Sequence, residues 1–510
     1  TYLALIAVAV FIIIIACINF VNLATTQAIG RAREIGVRKV LGSNRSQLIL
    51  QFLGETTLMV MLALVIGMLA TVLFLPQVSQ WLDIKIHFTE LFSPSAIASL
   101  LLLTVAMIFL AGLYPAFIQS AFNPLQSLKS RATLPLRGLN LRKTLVVVQF
   151  AISQVMIAGT LVVAYQMDFF KNRDLGYDKD AIISFRVPDQ SKRDVLQQQL
   201  LNNPGVKDLS FASGAPAYNS SYTDFSAPEL GVSKGDVIEI KFIDEHYTDM
   251  FKLKMLAGEK VVKRNENDTT HEIVVNETLM QKLNIFQPEQ MIGKHILING
   301  RYATVTGVVQ DFQSESKHKK RRACALIYRP RSFYTACLKL EPSNMRQAIA
   351  AVDKTWSALF PDNVFQYEFL DEHIARWYRQ EQKEFVAFKI FSFIAIFIGC
   401  LGLYGLVAFA AARRIKEVGM RKVLGASITH IFLLFSKEFA VLIVIAFLIA
   451  SPVSYYAMHN WLQQFAYKVN INAGIFIISI LSSIVIAGIT IAHQSIKAAM
   501  ANPIKSLRTE

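Results

Sequence analysis

Seven stretches of mostly apolar residues, each about 20 residues or longer, dominate this chain: Tyr2–Thr25, Leu48–Leu75, Ser95–Ile118, Thr144–Met167, Phe385–Ala412, Ile431–Met458 and Gly474–His493. Such a length crosses the hydrocarbon core of a bilayer as an α-helix. Inside lipid every backbone polar group must find its partner within the segment, so runs of this kind fold as spanning helices. One buried helix of a soluble protein can be this apolar, but seven in a single chain of 510 residues cannot all be. Charges inside the runs are few, chiefly Glu55, Lys437 and Glu438 near their ends. Trp81, Tyr114, Tyr404 and Trp461 stand near the proposed boundaries, where amphipathic rings settle. The first run starts directly after Thr1 and exceeds the roughly 7–15 residues of a signal-peptide core. It reads as a span, and the chain as a fragment whose N-terminal part is missing.

The net charge of +15 raises the possibility of nucleic-acid binding, which the placement of the charge removes. It resides in four segments, Thr26–Gln47, Gln119–Lys143, Arg413–His430 and Lys497–Glu510, with 5, 5, 5 and 3 Lys or Arg against 1, 0, 1 and 1 acids. The rest of the chain balances. Short basic segments beside apolar spans follow the positive-inside rule. Alternating the spans puts all four segments on the cytoplasmic side and places Pro76–Pro94, His459–Ala473 and the long Asp168–Glu384 segment outside. The large segment is therefore expected on the extracytoplasmic side and the C-terminus in the cytoplasm.

Asp168–Glu384 reads as a soluble α+β domain with a β-rich insertion. Strand-like runs are Ala181–Val187, Val237–Ile243, Glu272–Val275, Tyr302–Val309, Ala323–Tyr328 and Ala336–Leu340. Lys192–Asn202, Asn276–Leu283 and Met345–Leu359 have helical character, and Asn203-Pro204-Gly205 and Asn299-Gly300 mark turns. The basic run Lys317–Arg322 reads as a solvated loop. Cys324 and Cys337 are free thiols or one pair; Cys17 and Cys400 fall in spans.

An internal repeat is the sharpest signal. Glu34-Ile35-Gly36-Val37-Arg38-Lys39-Val40-Leu41-Gly42 recurs as Glu417-Val418-Gly419-Met420-Arg421-Lys422-Val423-Leu424-Gly425, each copy between two spans. Glu55 matches Glu438, Trp81-Leu82 matches Trp461-Leu462, and Asn123-Pro124 matches Asn502-Pro503. On a helix, Val37, Val40 and Leu41 fall at i, i+3 and i+4 as one apolar stripe, and Met420, Val423 and Leu424 do the same. Glu34 and Arg38, like Glu417 and Arg421, are i,i+4 pairs in the favourable order, each worth roughly 0.2–0.5 kcal/mol. Gly42 and Gly425 stand where a helix stops. A short amphipathic helix results, over about 31–45 and again over about 414–428. A grip on anionic lipid explains its basic residues but not the recurring Glu, both Gly residues and the register. A docking surface for a soluble partner explains all of them.

At these residues the chain resembles the FtsX/MacB-like permease family, the mechanotransmission class of ABC transporter subunits. Its permeases carry a Glu-x-Gly-x-(Arg/Lys)-(Arg/Lys)-x-(Leu/Ile)-Gly segment after the second span of each four-span unit, and both copies here fit. Asn123-Pro124 and Asn502-Pro503 resemble the ends of such units, and Phe369-Leu370-Asp371 before Tyr378 resembles the exit of the periplasmic core domain. The likeness covers essentially the whole chain and is to the long, two-unit form, short of its first span and first periplasmic domain. It implies an α-helical transmembrane bundle of seven spans with the α+β domain between spans four and five. The units would be 1–143, a span at 144–167, the core-like domain at 168–384, and 385–510. It further implies a bacterial inner membrane with the large domain in the periplasm, and a cytoplasmic ABC ATPase dimer gripping Glu34, Gly36, Arg38, Lys39 and Gly42 and Glu417, Gly419, Arg421, Lys422 and Gly425. Glu55 and Glu438, near the basic ends of their spans, read as tethers that couple the spans to the docking segments. ATP and Mg would be bound by that partner and no cofactor by this chain. A periplasmic adaptor is a further expected partner, and export, efflux or extraction of a periplasmic or outer-leaflet substrate the implied task.

Signatures of chemistry are missing from the sequence. Gly-x-x-x-x-Gly-Lys-Ser/Thr does not occur, so an ATPase must be another chain. His-Glu-x-x-His, Cys-x-x-Cys and Gly-x-Ser-x-Gly do not occur either, and the nine histidines have no ligand spacing. Asp371, Glu372 and His373 adjoin one another, but neighbours on a helix point in different directions. The chain is thus expected to be a non-catalytic subunit without a metal site. The alternatives are a secondary transporter using Glu55 and Glu438 as ion carriers, and a ligand-sensing scaffold without an ATPase.

Overall fold

The computed structural model describes residues 2–82, 88–120, 136–172, 174–218, 221–232, 237–263, 271–316, 319–413, 417, 420–421, 424–425 and 427–500. The chain divides into a helical unit (Thr1–Met167, Glu381–Leu462 and Val469–Glu510) and an α+β unit (Asp168–Gln380 with Gln463–Lys468). Among the described residues seven helices are long and apolar enough to cross a membrane.

In the helical unit these are α1 (Tyr2–Gly30), α3 (Arg45–Leu82), α4 (Pro94–Ser120), α5 (Leu136–Asn172), α11 (Arg379–Arg413), α12 (Ile428–Leu462) and α13 (Ala473–Met500); the short α2 (Ala32–Val40) lies between α1 and α3. Each long helix overruns its apolar stretch. Helix α11, for example, starts on Arg379-Gln380-Glu381-Gln382-Lys383-Glu384, polar residues that are themselves good helix formers. Helix α3 continues through Pro76 to Leu82.

Small and amide-bearing residues set the packing, as expected where lipid removes the hydrophobic drive between helices. Gly402 of α11 lies under the Asn19 amide of α1, whose Nδ2 donates to the Ile398 carbonyl at 2.6 Å. Gly405 receives Leu23 in the same way. Helix α5 is the central strut. Its most apolar stretch is 72% buried, whereas that of α3 is 0% buried and faces outward. Side chains of α5 reach neighbouring backbones: Gln149 donates to the Gly399 carbonyl at 2.9 Å and Gln154 to that of Ile443 at 3.4 Å. The Ser479 hydroxyl returns a bond to the Gln154 carbonyl at 3.1 Å. Around them Val146, Val147, Leu403, Val407, Ile443 and Ala446 form the apolar core.

The α+β unit holds two sheets. Strands β1 (Ile182–Arg186), β2 (Val206–Ala212), β10 (Thr335–Leu340) and β11 (Glu368–Phe369) form an antiparallel sheet in the order β11-β1-β10-β2. Helices α6 (Arg193–Leu201) and α9 (Met345–Leu359) connect β1 to β2 and β10 to β11, a split β-α-β arrangement, while the short α7 (Tyr247–Met250) and α8 (Glu277–Lys282) lie between β2 and β10 and α10 (Leu370–Arg376) follows β11. Their buried stripes, Leu196 and Leu200 on α6 and Ala348, Val352 and Trp356 on α9, seat on the sheet through Ile183, Phe185, Leu209 and Leu338.

Everything from β3 to β9 is inserted between β2 and β10. Strands β3 (Ser221–Ser226), β4 (Val237–Phe242), β6 (His271–Asn276), β7 (His295–Ile298), β8 (Arg301–Val309) and β9 (Cys324–Ile327) run in the order β8-β6-β9-β4-β3-β7, and β7 pairs back onto β8. The insertion is thus a closed ring filled by Ile238, Ile273, Val275, Ile296, Val305 and Ala325, with β5 (Met255–Gly258) added at the far end of β8. Among the described residues, closure leaves no long free strand edge in the ring. Strands β2, β3, β5 and β7 were not among the runs that sequence patterning picks out, because each is short or mixed in polarity. The buried Cys324 and Cys337 lie on β9 and β10 and are not bonded to each other.

Candidate functional site

The repeated segment forms α2. Its Glu34 and Arg38 pair at 2.6 Å, and Arg38 also donates to Gln51 of α3 at 2.7 Å. Lys39 Nζ donates to the Ser120 carbonyl at the end of α4 at 2.6 Å, and Arg45 Nε to the Ser120 hydroxyl at 3.3 Å. Those two bonds satisfy groups at a helix C-terminus, where cations are favoured. Burial first, and then the Arg45 charge, push the Lys39 ammonium below its usual range.

Gly42 ends the helix in a left-handed conformation, φ +97°. The Ser43 N–H donates to the Arg38 carbonyl and the Gly42 N–H to that of Lys39, the paired bonds of a Schellman stop. Asn44 then starts α3, its N–H donating to the Gln47 side chain at 3.0 Å. The short helix is therefore tightly delimited.

Its apolar residues divide in a way that periodicity alone does not reveal. Ile35, outside the i, i+3, i+4 stripe, is the anchor: it is 2% exposed and packs with Leu48, Phe52 and Ala116. The stripe itself is uncovered, with Val37, Val40 and Leu41 at 47%, 65% and 80% exposure. Gly36 is buried beside the anchor.

In the second copy Glu417 and Arg421 pair at 2.8 Å, Met420 and Leu424 are 57% and 81% exposed, and Gly425 has φ +89°. Ser427 caps α12, accepting from the His430 N–H at 3.3 Å. Gly419, Lys422 and Val423, like Asn123-Pro124 and Asn502-Pro503, lie outside the described residues.

Glu55 and Glu438 both find cations, but different ones. Glu55 pairs with Arg31, the residue before α2, at 2.8 Å; Glu438 pairs with Lys143 of α5 at 3.3 Å. These partners stand 24 and 295 positions away, a pairing that no sequence pattern announces. Gln51, Ser120 and Arg45 are likewise members of the site that sequence reading did not single out.

Two family profiles match the chain. The FtsX-like permease C-terminal profile covers residues 6–124 and again 389–503, and the MacB-like periplasmic core domain profile covers 147–354. The chain belongs to the FtsX/MacB-like permease family. Both repeated segments, Glu34–Gly42 and Glu417–Gly425, fall inside the two permease matches. A curated relative of this permease is the uncharacterized ABC transporter permease YvrN of Bacillus subtilis, 23% identical over 265 residues, 47% of this chain. The chain spans 60% of the length of that relative. Among solved structures, the periplasmic region of MacB from Actinobacillus actinomycetemcomitans is 16% identical and covers 39% of this chain and 92% of its own, with a TM-score of 0.29. The extracellular domain of the noncanonic ABC-type transporter YknZ from Gram-positive bacteria is 13% identical and covers 37% and 97%, with a TM-score of 0.26.

In the α+β unit of the permease, the Asp371-Glu372-His373 triplet sends only its histidine inward. His373 stacks on Tyr218 at 4.0 Å, with Nδ1 3.2 Å from Glu368, which also accepts from the Tyr218 hydroxyl at 2.7 Å and pairs with Arg376. Burial holds the imidazole below its ordinary range, against an opposing hydrogen bond at Ala217. Among the described residues no cluster has the composition of a metal site.

Proposed function

We propose that this permease is the membrane subunit of an ABC transporter whose separate cytoplasmic ATPase docks on the segments Glu34–Gly42 and Glu417–Gly425. One observation carries the reading: in both copies a sharply ended helical segment leaves its apolar residues bare at its tip, Leu41 and Leu424 being 80% and 81% exposed. Leaving such side chains uncovered beside charged neighbours is what a protein contact surface does. Glu34, Arg38, Glu417 and Arg421 frame these tips with the same ion pairs. In this reading the four basic segments face the cytoplasm of a bacterial cell, the α+β unit lies on the periplasmic side of the inner membrane, and ATP with Mg belongs to the partner. ATP-driven closure of the ATPase dimer would move α2 and its counterpart, and the spans would relay that motion to the α+β unit. The task would be export, efflux or extraction of a periplasmic or outer-leaflet substrate, with a periplasmic adaptor as a further partner. Glu55 and Glu438, each held in an ion pair, serve here as braces at the cytoplasmic ends of α3 and α12 rather than as ion carriers.

The test is co-purification of the full-length parent with an ABC ATPase, identified by mass spectrometry and by ATP turnover that responds to added permease. The variant carries Leu41→Asp and Leu424→Asp, both at exposed positions that leave the fold alone. Retention by the parent and loss from the variant, at unchanged elution volume, supports the reading. An ATPase held equally by both, or by neither, overturns it.

A further inference from the structure

The inserted ring of strands is not equally tight at its two ends. Strands β3 and β7 pair through Phe225 with Ile298 and Ser226 with Leu297, and the Asn299 N–H reaches the Asp224 carbonyl at 3.5 Å, whereas Ser221–Thr223 pair with β4. The β7–β8 hairpin turns at Asn299 and Gly300, both in the left-handed region, at that last contact. Strand β3 and the hairpin therefore part, and a mouth opens where β4, β6, β8 and β9 also begin or end. It is a cleft of about 860 Å³, within the range of cavities that hold small ligands.

The walls of this mouth have two chemistries. Inside lie Ile240, Phe242, Ile273, Ile298 and Ile327, the ends of the apolar ring interior. On the rim stand Arg301, Arg329 and Arg331, against a single acidic side chain, Glu272, among the described lining residues. Arg329 holds its guanidinium over the half-buried Phe242 ring, 5.3 Å from the centroid. Among the described residues neither Arg301 nor Arg329 meets a carboxylate. Some other cations of this unit have acids at hand: Lys252 and Lys339 pair with Asp178, Lys319 and Arg322 with Glu315, Arg376 with Glu368. Arg301 and Arg329 beside an apolar recess form a receptor for a molecule with an anionic head and an apolar tail.

We infer that the mouth of the inserted ring binds a single-chain amphipathic anion, such as an alkyl carboxylate or alkyl phosphate. The head pairs with Arg301 and Arg329, and the tail enters between Phe242, Ile298 and Ile327. This site is distinct from the repeated cytoplasmic segments, so the inference stands whether or not an ATPase docks there.

The experiment uses the full chain in lipid nanodiscs, photolabelled in two arms and mapped by peptide mass spectrometry. One arm supplies a medium-chain alkyl carboxylate bearing a diazirine on its tail, free in solution. The other supplies a phospholipid with the diazirine in its acyl chain, built into the disc. Labelling of the strand ends near Phe242, Ile298 or Ile327 in the first arm supports the site; labelling in the second arm alone overturns the inference, because a two-chain bilayer lipid then occupies the mouth. Arg301→Gln with Arg329→Gln should cut that labelling about tenfold, the loss of charge-assisted hydrogen bonds, while Arg346→Gln on the exposed face of α9 leaves it unchanged. Octanoate should compete and butyrate should not. No labelling at the strand ends, equal labelling of the double variant, or equal competition by butyrate overturns the inference.

Discussion

Two buried side chains of β4 show how single residues order the α+β unit. Glu239 and Lys241 are 1% and 0% exposed at the side chain and pair at 3.0 Å. Glu239 accepts from the Ser314 hydroxyl at 2.6 Å, and Lys241 donates to the Tyr218 carbonyl at 2.9 Å, so each holds one of the loops that follow β8 and β2. A buried pair is costly to desolvate, and removing one member strands the other. Lys241→Met should therefore destabilise the unit by about 3–5 kcal/mol in urea unfolding followed by Trp356 fluorescence, and adding Glu239→Leu should recover most of that loss. Asp244 yields a pH prediction. Burial lifts its carboxyl to about 6, against hydrogen bonds from Ser210 and the Phe211 N–H that hold it down. Since that lies above the unfolded value of about 3.9, the fold favours the protonated acid. Its contribution is whole below about pH 4 and is lost as pH rises through about 6, at most about 3 kcal/mol. Unfolding curves at both ends of that window should differ for the parent and converge for Asp244→Asn. Neither the ion pair nor the aspartate was legible in the sequence, because burial of a charge depends on what folds over it.

At the scale of elements, helix identity and helix partners have different origins. The apolar runs and the basic segments announced every span. What each span packs against came from small residues whose meaning is three-dimensional. An added Cβ at Gly402 would collide with the Asn19 side chain, while one at Gly67 would meet nothing within 4 Å. Gly402→Ala should thus lower the melting temperature of the detergent-solubilised chain, and Gly67→Ala should raise it slightly through helix propensity, about 1 kcal/mol at most. The reverse order would contradict the contact of α1 with α11. The repeated halves also differ in cover. Leu442 and Ala446 are buried in the core that α5 shares, whereas Met59 and Ala63, at matching positions of the repeat, face outward. Within α2 the stripe was readable as a pattern, but its exposure was not. Periodicity marks an apolar face without saying whether a neighbour covers it, and here the neighbours, Leu48, Phe52 and Ala116, took Ile35 instead.

For the whole molecule, two exposed tips on one chain carry a quantitative consequence of the docking reading. Leu41→Asp or Leu424→Asp alone should weaken ATPase capture while leaving it measurable, and the two together should abolish it, because two linked contacts bind far more tightly than either one. Titration of the ATPase onto immobilised permease would show this; full loss from either single substitution would argue for one docking site only. That these segments exist, that they recur, that seven spans flank them and that an α+β unit interrupts the series all followed from the amino-acid sequence, since hydrophobic length, charge asymmetry and repetition are local or additive properties. The β-ring insertion with its open mouth, the burial of Glu239 and Lys241, the ion partners of Glu55 and Glu438 and the bareness of Leu41 and Leu424 were decided only by the tertiary structure. Each depends on which distant residues meet, and sequence order encodes that only through the packing of the completed fold.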